Sequence, residues 1–253
     1  MKERATPKVW RDLAKLTPAR IALGRAGAAL PTSEVLRFAL DHARARDAVH
    51  AKIDSAAIST ALGALGFSAV EAESAAADRA TYLRRPDLGR QLSDASRERL
   101  MKLDRPPVDI VFVVGDGLSA AATDAHAVRL LEALKPSIAK NGWSVAPVVV
   151  AHETRVALGD EIGEIFNARI AVVILGERPG LSSADSLGVY LTFGPKHGRV
   201  DADRNCISNI RPEGLSYERA AFKLAWHLSA ALRLGLSGVG LKDESDARGL
   251  LGS

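Results

Sequence analysis

Apolar positions change their rhythm part-way along the chain. Up to Arg105 they recur at helical spacing among Ala, Arg, Leu, Asp and Glu, with almost no strand-like run. Thr17-Pro18 predicts a helix start with proline at the first helical position. Pro31-Thr32-Ser33-Glu34 predicts another, followed by Leu36, Leu40 and Ala43 on one face. Further helices are predicted over Ser55 to Leu65, over Glu71 to Leu83 and over Ser93 to Leu103. Gly66 ends the first of these, and Arg85-Pro86 stops the second.

The pattern switches at Arg105-Pro106-Pro107. Val108 to Val114 is a short, nearly continuous apolar run rich in Val and Ile, as in strands buried on both faces of a parallel sheet. Ser144 to Val150, Ile170 to Leu175 and Val189 to Phe193 predict three more strands. Between them Ala127, Leu130, Leu131, Leu134 and Ile138 share a helical face, with Pro136 expected to kink it and Asn141-Gly142 to end it. Ile162 to Asn167 predicts a short helix. A last helix from Ser216 carries Ala221, Leu224, Ala225, Leu228, Ala231 and Leu232 on one stripe. The expected class is therefore α/β: a mostly parallel, Rossmann-like sheet flanked by helices and preceded by a helical N-terminal region. Three units follow: residues 1–105, 106–236, and a flexible tail over 237–253, rich in Gly, Asp and Ser.

Composition narrows the classes. With 253 residues, 47% hydrophobic and 25% charged, the chain is an ordinary folded protein rather than a disordered or fibrous one. One Cys excludes an internal disulfide framework and multi-Cys metal sites, and suits a reducing, cytoplasmic home. No secretory h-region follows the N-terminus, and no apolar stretch is long enough for a membrane span. Aromatics at 5% argue against a base-stacking nucleic-acid binder, and a net charge of +4 is too small to choose a partner.

In such sheets ligands bind at the carboxyl ends of the strands. Those ends carry Gly115-Asp116-Gly117, Ala151-His152-Glu153 and Gly176-Glu177-Arg178-Pro179-Gly180. Gly115 to Ala120 fits the dinucleotide pattern G-x-G-x-x-G/A. Glu153, however, lies well beyond the interval of about 20 residues at which an acid would take the ribose. An NAD(P)-dependent oxidoreductase is the alternative this motif keeps open. Glu177 suits amide or hydroxyl donors, or a loop salt bridge. Arg204 to Pro212, around Cys206, suits a ligand-facing loop. Asp124-Ala125-His126 begins the D-x-H-x-x-G signature of one class of cobalamin domain, but Arg129 stands at the Gly position, and His126 is expected on a solvated helix face. No nucleophile elbow, P-loop, paired carboxylates or metal spacing appears, so no catalytic or metal-binding residue is assigned.

The stretches LTPARIALGRAGAALPTSEVLRFALDHARARDAVH, TYLRRPDLGRQLS, VVGDGLSA and LGERPGLSSADSLGVYLTFGPKHGRVDADRNCISNIRPEGLSYERAAFKL closely resemble the small (light) subunits of ethanolamine ammonia-lyase, from about Leu16 to Leu232. The resemblance implies an adenosylcobalamin enzyme converting ethanolamine to acetaldehyde and ammonia by radical chemistry. A large TIM-barrel subunit binds the substrate, and the small subunit covers the cobalamin from the other side. It implies a hetero-oligomer active only with the large subunit, cytoplasmic and in some relatives enclosed in a bacterial microcompartment, with no nucleic-acid or membrane partner. By local motif the family's cobalamin contacts fall on Val156, Glu177 and Cys206, with Arg155 added as the neighbour of Val156. The N-terminal region, through Tyr82 to Arg90, is expected to contact the large subunit. A non-catalytic cobalamin carrier is the third possibility.

Overall fold

The structure, a computed structural model, describes residues 7–17 and 19–246, so the Thr17-Pro18 start, which turns on Pro18, lies outside the described residues. In chain order the elements are α1 (Lys8–Ala14), α2 (Thr32–His50), α3 (Ser55–Ala64), β1 (Ala69–Glu73), α4 (Arg79–Arg84), α5 (Asp94–Met101), β2 (Val108–Gly115), α6 (Ala120–Asn141), β3 (Val148–His152), α7 (Leu158–Ile165), β4 (Ala168–Gly176), β5 (Leu187–Phe193), β6 (Arg204–Ile210) and α8 (Tyr217–Leu234). The strands form one sheet in the order β1-β3-β2-β4-β5-β6. The first four are parallel. β5 runs antiparallel to β4, and β6 antiparallel to β5. This is the α/β, mostly parallel architecture expected.

Two elements differ from expectation. Residues 69–73 (AVEAE), of which the pattern predicts 71–73 as helix, form edge strand β1, paired with β3 from Ala69↔Val148 to Glu73↔His152. Glu and Ala favour helix locally, but pairing with an apolar neighbouring strand overrides that preference. The sheet thus reaches across Arg105 into the N-terminal region. The free edge of β1 is covered: Arg99 donates to the Glu71 carbonyl, and the Ser93 amide to that of Glu73. Second, residues 204–210, expected in a loop, form β6, because Arg204, Ile207 and Ile210 are buried around a bulge. Pro136 sits inside α6, which continues to its C-cap, Gly142 at φ 63°.

Each sheet face has its own core. On one, Ile110, Phe112, Val114, Val148 and Val150, with Ile170, Val172 and Ile174 of β4, meet α3, α6 and α8. On the other, Val111, Val113, Val149, Ala171, Val173 and Leu175 meet α7, Leu92 and Leu100. α1 and α2 stand apart: α1 buries no residue and α2 only Ala48. Leu36 and Leu40, on the face predicted to be apolar, are exposed. Residues 237–246, expected in a flexible tail, are tied down. The Asn205 side-chain amide donates to the Leu241 carbonyl at 2.8 Å, and Lys223 meets Asp243 at 3.1 Å and Asp246 at 2.9 Å. Among the described residues, no helix is long and apolar enough to cross a membrane.

Two outcomes are expected in unfolding experiments. A Cβ on Gly176 would overlap the Ser119 carbonyl, so Gly176→Ala should cost about 1–3 kcal/mol or more. Gly142→Ala meets no neighbour and should cost only about 1 kcal/mol, from its left-handed backbone. Burial acts to raise the Asp243 carboxyl, but hydrogen bonds from Ser245 and Lys223 outweigh it and hold it at about 2. Its contribution is therefore present above the ordinary carboxylate value and lost as pH falls through about 2. Asp243→Asn should cost less than about 1 kcal/mol at pH 7, since the carboxylate is partly solvated, and the difference from wild type should vanish near pH 2.

Candidate functional site

The parallel strands bring the three predicted loops to one edge of the sheet. The loop after β2 does not form a phosphate cradle there. A Cβ on Gly117 would overlap the Gly176 carbonyl, and one on Gly115 would press on Thr154 and Leu175. The glycines serve close packing between the loops after β2 and β4. The Leu118 amide donates to the Gly176 carbonyl at 2.9 Å, and Ser119, which caps α6, donates its hydroxyl to the Ala184 carbonyl at 2.8 Å.

Asp116 points inward and is 2% exposed. Its two oxygens accept the Glu153 and Thr154 amides, each at 2.9 Å, and Arg79 of α4 reaches both Asp116 (3.4 Å) and Glu153 (3.0 Å). Burial pushes both carboxyls above the usual range, against these donors. Glu153 holds φ 52°, uncommon for a residue with a side chain. The Tyr82 hydroxyl donates to the Thr154 carbonyl at 3.0 Å, and its ring lies near the guanidinium groups of Arg79 (4.7 Å) and Arg155 (4.2 Å). Tyr82 is fully buried, so it is not the exposed contact residue its segment suggests; Arg85 beside it is exposed and pairs with Asp87.

Glu177 follows β4 directly, as expected. One oxygen, Oε2, accepts the Ser186 hydroxyl and the Asn209 amide, the latter at 3.2 Å. The second donor exists because β6 bulges opposite Gly188: Leu187 pairs with Ile210 but Val189 with Ile207. Asn209 takes φ 59° in the bulge and turns its N–H toward Glu177. Gly188 leaves space for the carboxylate, whose Oε1 would lie 3.0 Å from a Cβ placed there. Cys206 is exposed and pairs across the ladder with Tyr190, its sulfur 3.4 Å from the Ser208 hydroxyl. Partial desolvation of the sulfur, reinforced by the Glu177 charge, raises the thiol pKa, so it stays protonated at neutral pH. Burial, with Cys206 and Glu177 nearby, also raises the Tyr190 hydroxyl.

The structure therefore brings Glu177 and Cys206 together around Tyr190. Tyr190 packs on the same core cluster as Val156, on the face opposite α6 and α8. Arg155 is adjacent in sequence but folds back onto Tyr82, its amide donating to the Gly89 carbonyl at 2.8 Å. Beyond Val156 in the chain, Asp160 of α7 binds Arg204 of β6 in a buried two-pronged pair, 2.7 Å at each prong. Sequence reasoning missed Tyr190 and the Asn209 amide: a tyrosine inside an apolar strand carries no distinguishing signal, and a backbone donor carries none. Contrary to expectation, His126 is buried rather than solvated, 2.9 Å from the Tyr217 hydroxyl. A cavity of about 830 Å³ between α2 and residues 181–185 is lined by none of the candidate residues. Among the described residues, no group of three or more His, Cys, Asp or Glu side chains is placed to hold a metal ion.

The family model described as ethanolamine ammonia-lyase light chain (EutC) matches residues 7–242, beyond both ends of the stretch that carried the resemblance. The chain is 56% identical over 238 residues to the ethanolamine ammonia-lyase small subunit of Bradyrhizobium diazoefficiens, covering 94% of this chain and 91% of that one. To the protein of the same description from Rhodopseudomonas palustris it is 54% identical over 244 residues, covering 96% and 94%. To that of Azotobacter vinelandii it is 51% identical over 252 residues, covering 98% and 93%.

The Asp160–Arg204 pair gives a test of the frame around these residues. Arg204→Met leaves Asp160 buried without its counter-charge, and should cost about 3–5 kcal/mol at pH 7. Burial already raises the Asp160 carboxyl. In the variant its folded pKa stands still further above the unfolded value, so stability is greatest below the unfolded value and falls as pH rises. Urea unfolding at pH 5 should show a smaller deficit than at pH 7, and Asp160→Leu in the same chain should recover much of it.

Proposed function

The chain belongs to the ethanolamine ammonia-lyase light-chain family, and from that membership we propose that it is the small subunit of an adenosylcobalamin-dependent ammonia-lyase acting on ethanolamine. It seats the cofactor against the open face of β5 and β6, and a large subunit that binds ethanolamine closes over it. The observation that carries this reading is the Glu177 carboxylate, whose two hydrogen bonds among the described residues both fall on Oε2, close to Tyr190 and exposed Cys206. The donor set suits a corrin. Peripheral amides need acceptors, which Glu177 supplies, and an apolar ring needs a flat floor, which Tyr190 and Val156 supply. Cys206, protonated at neutral pH, meets the ring as a weak donor rather than as a thiolate. When bound, adenosylcobalamin supplies the radical that starts the reaction, while this chain binds, orients and shields it. The cytoplasm, or a microcompartment within it, is the setting this reading implies.

An open face, rather than a closed pocket, suits a cofactor held between two chains. The large subunit also has a surface to engage. Val9, Trp10, Leu13, Val35, Leu36, Phe38 and Leu40 are all exposed on α1 and α2. So many exposed apolar side chains on two neighbouring elements suit an interaction site. The cavity under α2 is lined by residues 181–185, which continue the Glu177 loop, so this surface adjoins the cofactor edge. The dinucleotide alternative has lost its site, because packing between Gly117 and Gly176 fills the crevice it needs.

Glu177→Gln keeps the shape but removes the charge. A charge-assisted hydrogen bond contributes about 1.5–3 kcal/mol, so the dissociation constant for adenosylcobalamin in the assembled complex should rise roughly tenfold to a hundredfold. The rate at saturating cofactor should change much less. A lowered melting temperature with unchanged cofactor affinity would leave Glu177 purely structural. Phe38→Asp together with Leu36→Glu should abolish co-purification with the large subunit. Leu36 is largely exposed and Phe38 about half exposed beneath Arg20, so the variant's own melting temperature should fall only slightly. Normal assembly would remove α2 from the interface.

A further inference from the structure

Val156 has no strand to hold it. The β3 ladder stops at His152, and α7 begins at Leu158. The residues between are fixed one by one, from outside the strand. Glu153 is held at its amide by Asp116 and at its carboxylate by Arg79. Thr154 is held at its amide by the other Asp116 oxygen and at its carbonyl by Tyr82. Arg155 is held at its amide by the Gly89 carbonyl and at its guanidinium by the Tyr82 ring. A left-handed Glu153 is strained, and persists only where its surroundings over-determine it. Here one carboxylate takes two consecutive amides of that turn. The central strands do not need Asp116: their ladders are complete by Gly115 and Gly176. What depends on it is the path of the chain into Val156.

We propose that Asp116 is a positioning residue for cofactor binding, which with Arg79 and Tyr82 holds the 153–155 turn so that Val156 faces the cofactor. This rests on the reading of Val156 as a cofactor contact. Asp116 touches neither substrate nor cofactor; it acts through the turn. Asn at this position has nearly the same volume, but its side-chain NH₂ would face one of the two turn amides, donor against donor. Tyr82→Phe removes only the hydroxyl that holds the Thr154 carbonyl.

The test uses the full-length chain co-expressed with its large subunit, in wild-type, Asp116→Asn, Tyr82→Phe and Glu177→Gln forms. Two quantities are read: the dissociation constant for adenosylcobalamin by corrin absorbance, and amide hydrogen exchange of residues 152–157 against residues 108–115 and 168–176. In Asp116→Asn and Tyr82→Phe, exchange should quicken in 152–157 while the two central strands stay unchanged. The cofactor constant should rise, by about tenfold for Asp116→Asn, equivalent to ~1.4 kcal/mol, and by less for Tyr82→Phe. Excess cofactor should recover most of the rate. Faster exchange or lower melting temperature with unchanged cofactor affinity would overturn the proposal. If Asp116→Asn does not fold, Tyr82→Phe decides on the same two readouts. Weakened binding in Glu177→Gln with none in the other two variants would sink this inference and leave the functional reading standing. A wild-type complex that takes up no adenosylcobalamin would sink both.

Discussion

A carboxylate almost out of reach of water governs the ligand-side edge of the sheet. Burying an unpaired charge is costly enough that the group must collect donors or give up its charge. Asp116 collects two consecutive amides and a guanidinium, and these come from two different parts of the chain. The demand of one side chain for partners thus joins the end of β2, the turn after β3 and helix α4 at a single point. Arg79 also donates from Nε to the Val49 carbonyl at 2.6 Å, so the end of α2 is drawn to the same place. Strand β1 and helix α3 join the sheet and its core by pairing and packing, whereas α1 and most of α2 bury almost nothing, and the end of α2 is held here by this charged contact.

The parallel core was legible because β2 and β4 are continuous apolar runs, which few structures besides buried strands accommodate. Two helix starts were legible too: helices were expected from Ser93 and from Ser216, and each of these serines accepts an amide of the first turn that follows it. Edge strand β1 was not, since Glu71 and Glu73 face outward and the remaining residues fit either period. The locations of Glu177 and Cys206 were legible as chain positions, through family motifs and strand ends. Their convergence was not. It needs β5 to turn back against β4 and β6 to bulge, and both depend on pairing between segments distant in the chain. Gly115-Asp116-Gly117 stands out in the sequence for the right residues and the wrong reason: its glycines admit another loop, not a ligand.

The sheet is built asymmetrically. Its parallel half is covered on both faces. Its antiparallel half is covered by α8 on one face; on the other, α7 covers Thr192 and Arg204 through Asp160, while Tyr190 is only partly buried and Cys206 is exposed. Turning two strands antiparallel removes the need for crossover helices there, and so leaves the Tyr190 and Cys206 end of that face open. The fold provides an open face through strand direction, not by carving a pocket.

The bulge in β6 carries a consequence for how such a chain can vary. Ser208 and Asn209 together oppose the single residue Gly188. Exchanging the Ser208 side chain leaves that count alone, and the Asn209 N–H still points to Glu177. Removing either residue would restore a regular ladder and swing the amide back into it, without altering any side chain near the carboxylate. Across descendants of this sequence, the length from Cys206 to Ile210 should therefore be held more strictly than the residues that fill it, and gaps should be absent there even where substitutions accumulate.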